Sequence, residues 1–325
     1  TLHDATYQFG IDYLRDVWYS TSYLLDRKQS MNGCAKKRFE NYKQQPLEFV
    51  FDKSFTGKLS QFGLDPNRRT PSGIKAAIIR EKGTNGEREM AYMLYLAGFD
   101  VKDVTMTDLI SGRETLEDIN MVVYCGGFSN SDVLGSAKGW AGSFLFNPKA
   151  KAALDNFYAR EDTLSLGVCN GCQLMMELGL ITPEDKKKGK MLHNDSHKFE
   201  SNFLGVTVPM NRSVMFGSLS GSKLGIWVAH GEGKFSLPYP EDHYNVVLKY
   251  SYDEYPGNPN GSDYSVAGIA SQDGRHLAMM PHLERACFPW ENAYYPLDRK
   301  EEDQITPWME AFVNARKWVE ANRKK

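Results

Sequence analysis

Short apolar runs alternate with stretches of helical periodicity from Ile74 onward. Each run of Val, Ile, Leu and Ala predicts a buried strand, and the apolar spacing of three and four that follows predicts a helix. Strands that alternate with helices are typical of a parallel, doubly wound sheet with both faces covered. The predicted strands are residues 75–80, 101–106, 119–125 and 164–168. The predicted helices are residues 87–96 and 140–158, and a further helix follows the turn at Cys169 and runs through Leu174, Met175 and Leu178.

The pattern changes in the second half of the chain, where strand-like runs follow one another with Gly, Pro and Asn turns between them. More strand and less helix predicts antiparallel additions to the same sheet. The fold class is therefore α/β, with a doubly wound, mostly parallel sheet that carries antiparallel additions. The added strands are predicted at residues 203–208, 224–229, 244–250 and 266–271, and a terminal helix at 308–319.

The first 73 residues differ from the rest, because an amphipathic stretch from Ile11 to Leu25 is followed by mostly polar sequence. A segment of this length has little core of its own, and an isolated helix needs another surface to pack against. We therefore expect two parts. Residues 1–73 form a partly helical tail and linker, and residues 74–325 form one complete α/β domain.

Composition and charge exclude several classes of protein. The 39 Lys and Arg residues nearly balance the 41 Asp and Glu residues, so the basic excess of a nucleic-acid or anionic-membrane binder is missing. No apolar run predicts a membrane-spanning helix. Five cysteines are a sparse and odd number, which indicates reduced thiols in a cytoplasmic protein.

Cys169 is the strongest candidate for chemistry, because Gly167 and Gly171 flank it between a predicted strand and a predicted helix. Small neighbours permit a strained elbow that lifts a nucleophile out of the sheet. The helix N-terminus favours a thiolate and leaves backbone N–H groups free for an oxyanion. A buried cysteine beside a tight turn remains an alternative interpretation.

Cys169 and Cys172 also form a Cys-x-x-Cys pair. Such a pair at a helix N-terminus is typical of dithiol redox chemistry. A structural zinc site needs four ligands, and the sequence has no second pair to complete it, so we expect no metal site.

A cysteine nucleophile needs a histidine, itself oriented by a third group. His282 and His230 each follow a predicted strand, and each has a glutamate two residues later, Glu284 and Glu232. In an extended segment this spacing places both side chains on one side. The spacing does not decide which histidine is the base, and ordinary surface loops remain an alternative interpretation of both pairs.

Gly126-Gly127 follows the third predicted strand. A double glycine at that place can turn the Gly127 N–H toward the nucleophile of the neighbouring strand, beside the N–H of Asn170. The motif alone is weak, since most glycine pairs are only turns.

Together these motifs resemble those of the class I (triad) glutamine amidotransferase family. Within it, the chain is most similar to the C-terminal region of the formylglycinamide ribonucleotide amidotransferases, also called phosphoribosylformylglycinamidine synthases, of de novo purine synthesis. The motifs are GVCNGCQ at 167–173, CGGFS at 125–129, HGEG at 230–233, MMPH at 279–282 with Glu284, and TPWM at 306–309.

The resemblance implies a catalytic triad of Cys169, His282 and Glu284, with oxyanion donors at Gly127 and Asn170. It implies that glutamine is held near the residues Gln173, Phe128, Ser129 and His230. The chain departs from the family at Asn130-Ser131, where Tyr-Gly is common, and at Leu283, where proline is common.

The resemblance also implies an activity and partners. L-glutamine would be hydrolysed to glutamate through a cysteinyl thioester, and the ammonia would pass to an ATP-dependent synthetase centre that makes formylglycinamidine ribonucleotide. ATP and Mg would belong to the synthetase body, whose tail residues 1–73 resemble, and this chain would hold no cofactor. A dithiol oxidoreductase, a silent binding subunit and a free-standing hydrolase are the alternatives.

Overall fold

Nine strands form one mixed sheet in the computed structural model, which describes residues 2–3, 7–45 and 47–323. The strands in chain order are β1 Leu2–His3, β2 Gln8–Phe9, β3 Lys75–Arg80, β4 Asp100–Thr105, β5 Met121–Tyr124, β6 Leu164–Val168, β7 Lys190–Leu192, β8 Glu200–Thr207, β9 Lys223–His230, β10 Lys234–Ser236, β11 Asn245–Tyr250, β12 Val266–Ala270 and β13 His276–Met279. The helices are α1 Ile11–Gln29, α2 Cys34–Glu40, α3 Glu87–Ala97, α4 Met106–Ser111, α5 Lys138–Leu145, α6 Pro148–Ala159, α7 Asn170–Glu177 and α8 Trp308–Asn322.

The order across the large sheet is β4-β3-β5-β6-β13-β12-β11-β8-β9. The strands from β4 to β13 run parallel, and every pair from β13 to β9 is antiparallel. The predicted α/β sheet with antiparallel additions is therefore confirmed. The small pairs β1-β2 and β7-β10 lie outside this sheet.

Helices cover both faces of the parallel part. The chain moves from β3 outward to β4 and then back across to β5, so right-handed crossovers place α3 on the opposite face from α4, α5 and α6. The contacts agree, since α3 packs with α8, while α6 packs with both α4 and α5. In such sheets a site forms where the strand order reverses, outside the carboxyl ends of the strands.

One helix prediction is wrong. Residues 140–158 do not form a single helix but belong to α5 and α6, which are separated at Phe146-Asn147. The Asn147 side chain accepts hydrogen bonds from the N–H groups of Lys149 and Ala150, and Pro148 takes the first helical position. An asparagine cap followed by proline is a helix start, which stops the preceding helix from continuing.

The leading segment contains α1, which the amphipathic pattern from Ile11 predicts, and the shorter helix α2. Much of the apolar surface of α1, including Trp18, is exposed, whereas Phe55 is buried in the core of the large sheet. Residues 1 and 325, the outer limits of the two predicted parts, lie outside the described residues. None of the helices in the described ranges is long and apolar enough to cross a membrane.

Candidate active site

Three strand ends meet at the carboxyl edge of the parallel sheet. Strand β5 leads into Gly126, β6 leads into Cys169, and β13 is followed by His282. A Cβ atom placed on Gly126 would lie 2.9 Å from Cε1 of His282 and 3.3 Å from Cβ of Cys169. The Gly126 backbone therefore fills the space beside both side chains, and only a glycine fits there.

Cys169 lies on the strained turn that the glycine pattern predicts. Its backbone has φ 54° and ψ −108°, outside the common regions for a residue with a side chain. A Cβ on Gly171 would lie 2.0 Å from the carbonyl oxygen of Tyr124, and one on Gly167 would lie 2.5 Å from that of Gly171. The flanking glycines are thus required by close packing of β5, β6 and α7.

His282 and Glu284 form a buried pair, in which Nδ1 of His282 lies 2.7 Å from Oε1 of Glu284. The expected extended segment is wrong, because residues Leu283–Arg285 form a 3-10 turn. The turn nevertheless brings the carboxylate to the imidazole, and the His282 N–H donates to the Trp227 carbonyl at 2.9 Å, which fixes the backbone.

The electrostatic environment favours a charged imidazole at His282. Burial alone lowers the pKa of His282, but the charge of Glu284 and hydrogen bonds to Cys169 and Glu284 outweigh it and raise that pKa to about 10. A protonated His282 beside the Cys169 sulfur can stabilise a thiolate and donate a proton to a leaving group.

His230 has a different environment. It is 2% exposed, and among the described residues neither ring nitrogen has a hydrogen-bond partner. Burial, with the nearby His282 adding to it, lowers the pKa of His230 to about 3. Its companion Glu232 does not bind it, since Oε2 of Glu232 accepts from the N–H of Ser136 at 3.3 Å. The geometry therefore supports His282 as the base and leaves His230 a neutral wall residue.

The two predicted oxyanion donors are available. Within the described ranges, neither the Gly127 N–H nor the Asn170 N–H donates to a protein acceptor. Gly127 has φ 120°, and a Cβ there would lie 2.6 Å from both the Gly83 oxygen and the Thr84 Cα. This close approach holds the glycine loop in place next to Cys169.

The residues predicted to hold glutamine differ in their exposure and in their hydrogen-bond partners. Gln173 is engaged internally, since its Oε1 accepts from Nδ2 of Asn170 at 2.9 Å and its Nε2 donates to the Glu232 carbonyl at 2.8 Å. Ser129 is 1% exposed, and its N–H donates to Oδ1 of Asn170 at 3.1 Å. Phe128 is 49% exposed and packs against Phe199 at the surface.

The Cys-x-x-Cys interpretation gains no support. All five cysteines are free, Cys172 is buried, and burial raises the pKa of its thiol well above the usual value. In the part of the chain that the structure describes, no group of three or more His, Cys, Asp or Glu residues could hold a metal ion.

Asn194 is a site residue that the sequence interpretation missed. It is fully buried, its Nδ2 donates to the His230 carbonyl at 2.7 Å, and its Oδ1 accepts from the Gly233 N–H at 3.0 Å. Its own N–H donates to the Gly231 carbonyl at 2.9 Å. One side chain and its backbone thus hold the loop after β9, and no local pattern around Asn194 indicates this.

Comparison with known proteins gives the family. Residues 73–319 match the CobB/CobQ-like glutamine amidotransferase domain. The human phosphoribosylformylglycinamidine synthase is 40% identical over 94% of this chain and 24% of its own length. The probable phosphoribosylformylglycinamidine synthase, chloroplastic/mitochondrial, of Arabidopsis thaliana is 40% identical over 95% of this chain and 23% of its own length.

A solved structure of PurLQS from Thermotoga maritima has a TM-score of 0.58 and 27% identity, and covers 76% of this chain and 99% of that one. The chain spans about a quarter of the length of the curated relatives it matches. Because the family match covers most of the chain, this protein belongs to the CobB/CobQ-like glutamine amidotransferase domain family.

Proposed function

We propose that this chain hydrolyses L-glutamine to glutamate through a cysteinyl thioester at Cys169. We further propose that it supplies the ammonia to an ATP-dependent centre that makes formylglycinamidine ribonucleotide in purine (IMP) biosynthesis. One observation carries the chemical part, namely Cys169 on a strained turn beside the buried His282–Glu284 pair. The names of the curated relatives support the choice of product.

In the first half of the reaction, the Cys169 thiolate attacks the side-chain amide carbon of glutamine. The Gly127 and Asn170 N–H groups would donate to the oxyanion, since both are free of protein acceptors. His282 gives its proton to the departing nitrogen, so the carbon–nitrogen bond breaks and ammonia and a thioester remain.

In the second half, neutral His282 takes a proton from a water molecule, which attacks the thioester carbon. The carbon–sulfur bond breaks, glutamate leaves, and the proton returns the Cys169–His282 pair to its starting state. Glu284 orients the imidazole and stabilises its charged form through the 2.7 Å hydrogen bond.

The ammonia must reach its acceptor without protonation, because ammonium has no lone pair. We propose that it passes through protein to a synthetase body. ATP and Mg would be bound by that body and not by this chain, whose described residues include no metal-ligand cluster. The chain matches only about a quarter of the length of each relative, which supports a synthetase body as its partner.

We propose that residues 1–73 are the tail and linker of the synthetase body and that residues 74–325 are the glutaminase domain. The start of the family match at residue 73 supports this division. We propose a cytoplasmic location, supported by the free cysteines, although the name of the Arabidopsis relative places that protein in chloroplasts or mitochondria.

The decisive experiment compares Cys169→Ala and Cys172→Ala in the enzyme that contains this domain, with glutamate release from glutamine as the measurement. We expect Cys169→Ala to lower the rate of glutamate release by roughly four orders of magnitude or more. Cys172→Ala should keep release within about threefold, because Cys172 is buried within α7 and takes no part in the proposed reaction.

Synthesis with added ammonium is the control, since it bypasses glutamine hydrolysis and should survive in both variants. Undiminished glutamate release by Cys169→Ala would contradict the proposed function. Equal loss in both variants would favour dithiol chemistry. Failure of Cys169 to react with a glutamine-analogue electrophile in the assembled enzyme would favour a silent binding subunit.

A further inference from the structure

Two carboxylates that the reaction above does not use lie beside the candidate active site. Asp132 is the last residue of the turn after β5, and Glu232 belongs to the loop after β9. Ser136 joins them, because its N–H donates to Oε2 of Glu232 and its hydroxyl donates to Oδ2 of Asp132, both at 3.3 Å. Two loops that are distant in sequence therefore bring their carboxylates to one place.

This pair is not neutralised by the protein. Across the described residues, no lysine or arginine forms an ion pair with Asp132 or Glu232 within 4.0 Å, and Nδ1 of the exposed His193 lies 4.0 Å from Oε1 of Glu232. Oδ1 of Asp132 is buried without a hydrogen-bond partner. Burial raises the pKa of Asp132, and the charge of Glu232 raises it further.

The pair is connected to the residue that follows the nucleophile. The side chain of Asn170 hydrogen-bonds to Gln173, which in turn donates to the Glu232 carbonyl. The same side chain lies close enough to Asp132 to lower the pKa of that carboxyl by hydrogen bonding. Asn170 thus fixes both acidic loops relative to Cys169.

A second observation indicates a polar ligand at this place. The hydroxyl of Ser129, in the same turn as Asp132 and anchored to the same Asn170, is buried and unpartnered within the described residues. Both ring nitrogens of His230, two residues before Glu232, are also buried and unpartnered. Buried polar groups are almost always hydrogen-bonded, so these groups indicate a missing polar partner.

We propose that Asp132 and Glu232 bind the α-ammonium group of L-glutamine and so make the site specific for an α-amino acid amide. This proposal rests on the glutaminase function proposed above. An ammonium group loses its hydration when it enters a site, and paired carboxylates replace that hydration with charge-assisted hydrogen bonds. No lysine or arginine of the described residues neutralises Asp132 or Glu232, and their carboxylates offer the acceptor oxygens and the negative charge that an ammonium group requires.

The test compares L-glutamine with glutaramate, which is glutamine without its α-amino group. Glu232→Gln and Asp132→Asn keep shape and remove charge. In each variant we expect kcat/KM for L-glutamine to fall roughly 10- to 100-fold, mainly through KM, because a hydrogen bond to a charged group is lost. The value for glutaramate should change by less than about threefold, since that substrate has no ammonium group to lose.

Glu241→Gln is the matched control, because Glu241 pairs with Lys249 at the surface, 2.9 Å away, outside the site. It should leave both substrates unchanged. Equal losses on both substrates in Glu232→Gln and Asp132→Asn, or no loss on L-glutamine, would overturn the proposal. If one variant does not fold, the other decides the question, because each carboxylate is expected to change the ratio between the two substrates.

The result is separable from the proposed function. If glutamate release by the unaltered enzyme does not depend on Cys169, the glutaminase assignment fails. If release depends on Cys169 but Glu232→Gln and Asp132→Asn keep the full preference for L-glutamine over glutaramate, only the α-ammonium site fails.

Discussion

Two strand ends of the same sheet carry a short glycine motif next to a residue of the candidate site, and they are held in place differently. The end of β6 carries Gly167 to Gly171 around Cys169, while the end of β9 carries His230 to Gly233. At β6 the conformation follows from backbone packing between neighbouring elements. At β9 it follows from hydrogen bonds made by residues far away in the sequence.

The β6 end is specified by its own few residues. Gly171 touches the Tyr124 carbonyl of the next strand so closely that no side chain fits, and Cys169 takes the strained φ of 54° between the two glycines. A local pattern of strand, glycine, nucleophile, glycine and helix therefore predicts this geometry.

The β9 end is specified only in part by its own residues, since a Cβ on Gly233 would lie 2.5 Å from Nδ1 of His230, whereas position 231 is open. Gly231 has open space around its Cα, so a side chain would meet nothing within 4 Å. The loop is held instead by Asn194, whose side chain reaches the His230 carbonyl and the Gly233 N–H. The segment around Asn194 is itself bound to the leading helices, because Asn32 donates to the Asp195 carbonyl and Lys198 pairs with Asp26.

The largest effect is expected from a substitution that disrupts the packing at the end of β6. Gly171→Ala places a Cβ 2.0 Å from the Tyr124 oxygen, so backbone must move. We expect the free energy of unfolding to fall by about 1 to 3 kcal/mol, and kcat/KM for glutamine to fall on the order of 100-fold, because a misplaced nucleophile loses alignment. Denaturant titration and glutamate release measure the two effects.

Gly231→Ala is the glycine control at the β9 end, and its effect on the free energy of unfolding should be below about 0.5 kcal/mol. If the alanines at 171 and 231 destabilise the protein equally, the contrast between the packed position 171 and the open position 231 is wrong.

A middle-sized effect is expected when the β9 loop loses its hydrogen bonds. Asn194→Ala removes the bonds to His230 and Gly233, and it should cost about 1 to 3 kcal/mol of stability. Because the loop also receives the Gln173 side chain at the pocket wall, we expect KM for glutamine to rise roughly tenfold. We expect kcat to stay within about threefold, since the Cys169–His282 pair is held by other contacts.

Asn147→Ala provides a control of similar stability cost, about 1 kcal/mol, because it removes the N-cap of α6 away from the site. Its KM should not change. A rise in KM for both asparagine variants would mean that Asn194 acts only through general stability.

The same contrast explains how much the sequence could predict. Strands β3 to β6 and the turn at Cys169 follow from local periodicity and glycine spacing, and parallel strand ends necessarily meet at one edge. The break between α5 and α6 at Asn147-Pro148 could also have been predicted from the sequence, since an asparagine before proline is typical of a helix start. The roles of Asn194 and Glu232 could not be predicted, because their hydrogen bonds to His230 and Ser136 join residues 36 or more positions apart and leave no local pattern. Asp132 is four residues from Ser136, but only Ser136 links it to the distant Glu232.

The smallest expected effect concerns strain in the turn after β5, where Ser131 has φ 58°. Left-handed backbone costs a residue with a Cβ roughly 1 kcal/mol, and glycine avoids that cost. Part of the gain is lost to the greater entropy of an unfolded glycine, so Ser131→Gly should raise the free energy of unfolding by less than about 1 kcal/mol. Asn130→Gly, at φ 52°, should gain less, because asparagine tolerates this conformation better. Urea midpoints of the two variants measure the difference. A loss of stability in Ser131→Gly would mean that the serine side chain stabilises the protein by more than its left-handed backbone destabilises it. The positive φ in this turn would then not be a net source of strain, in contrast to the turn at Cys169.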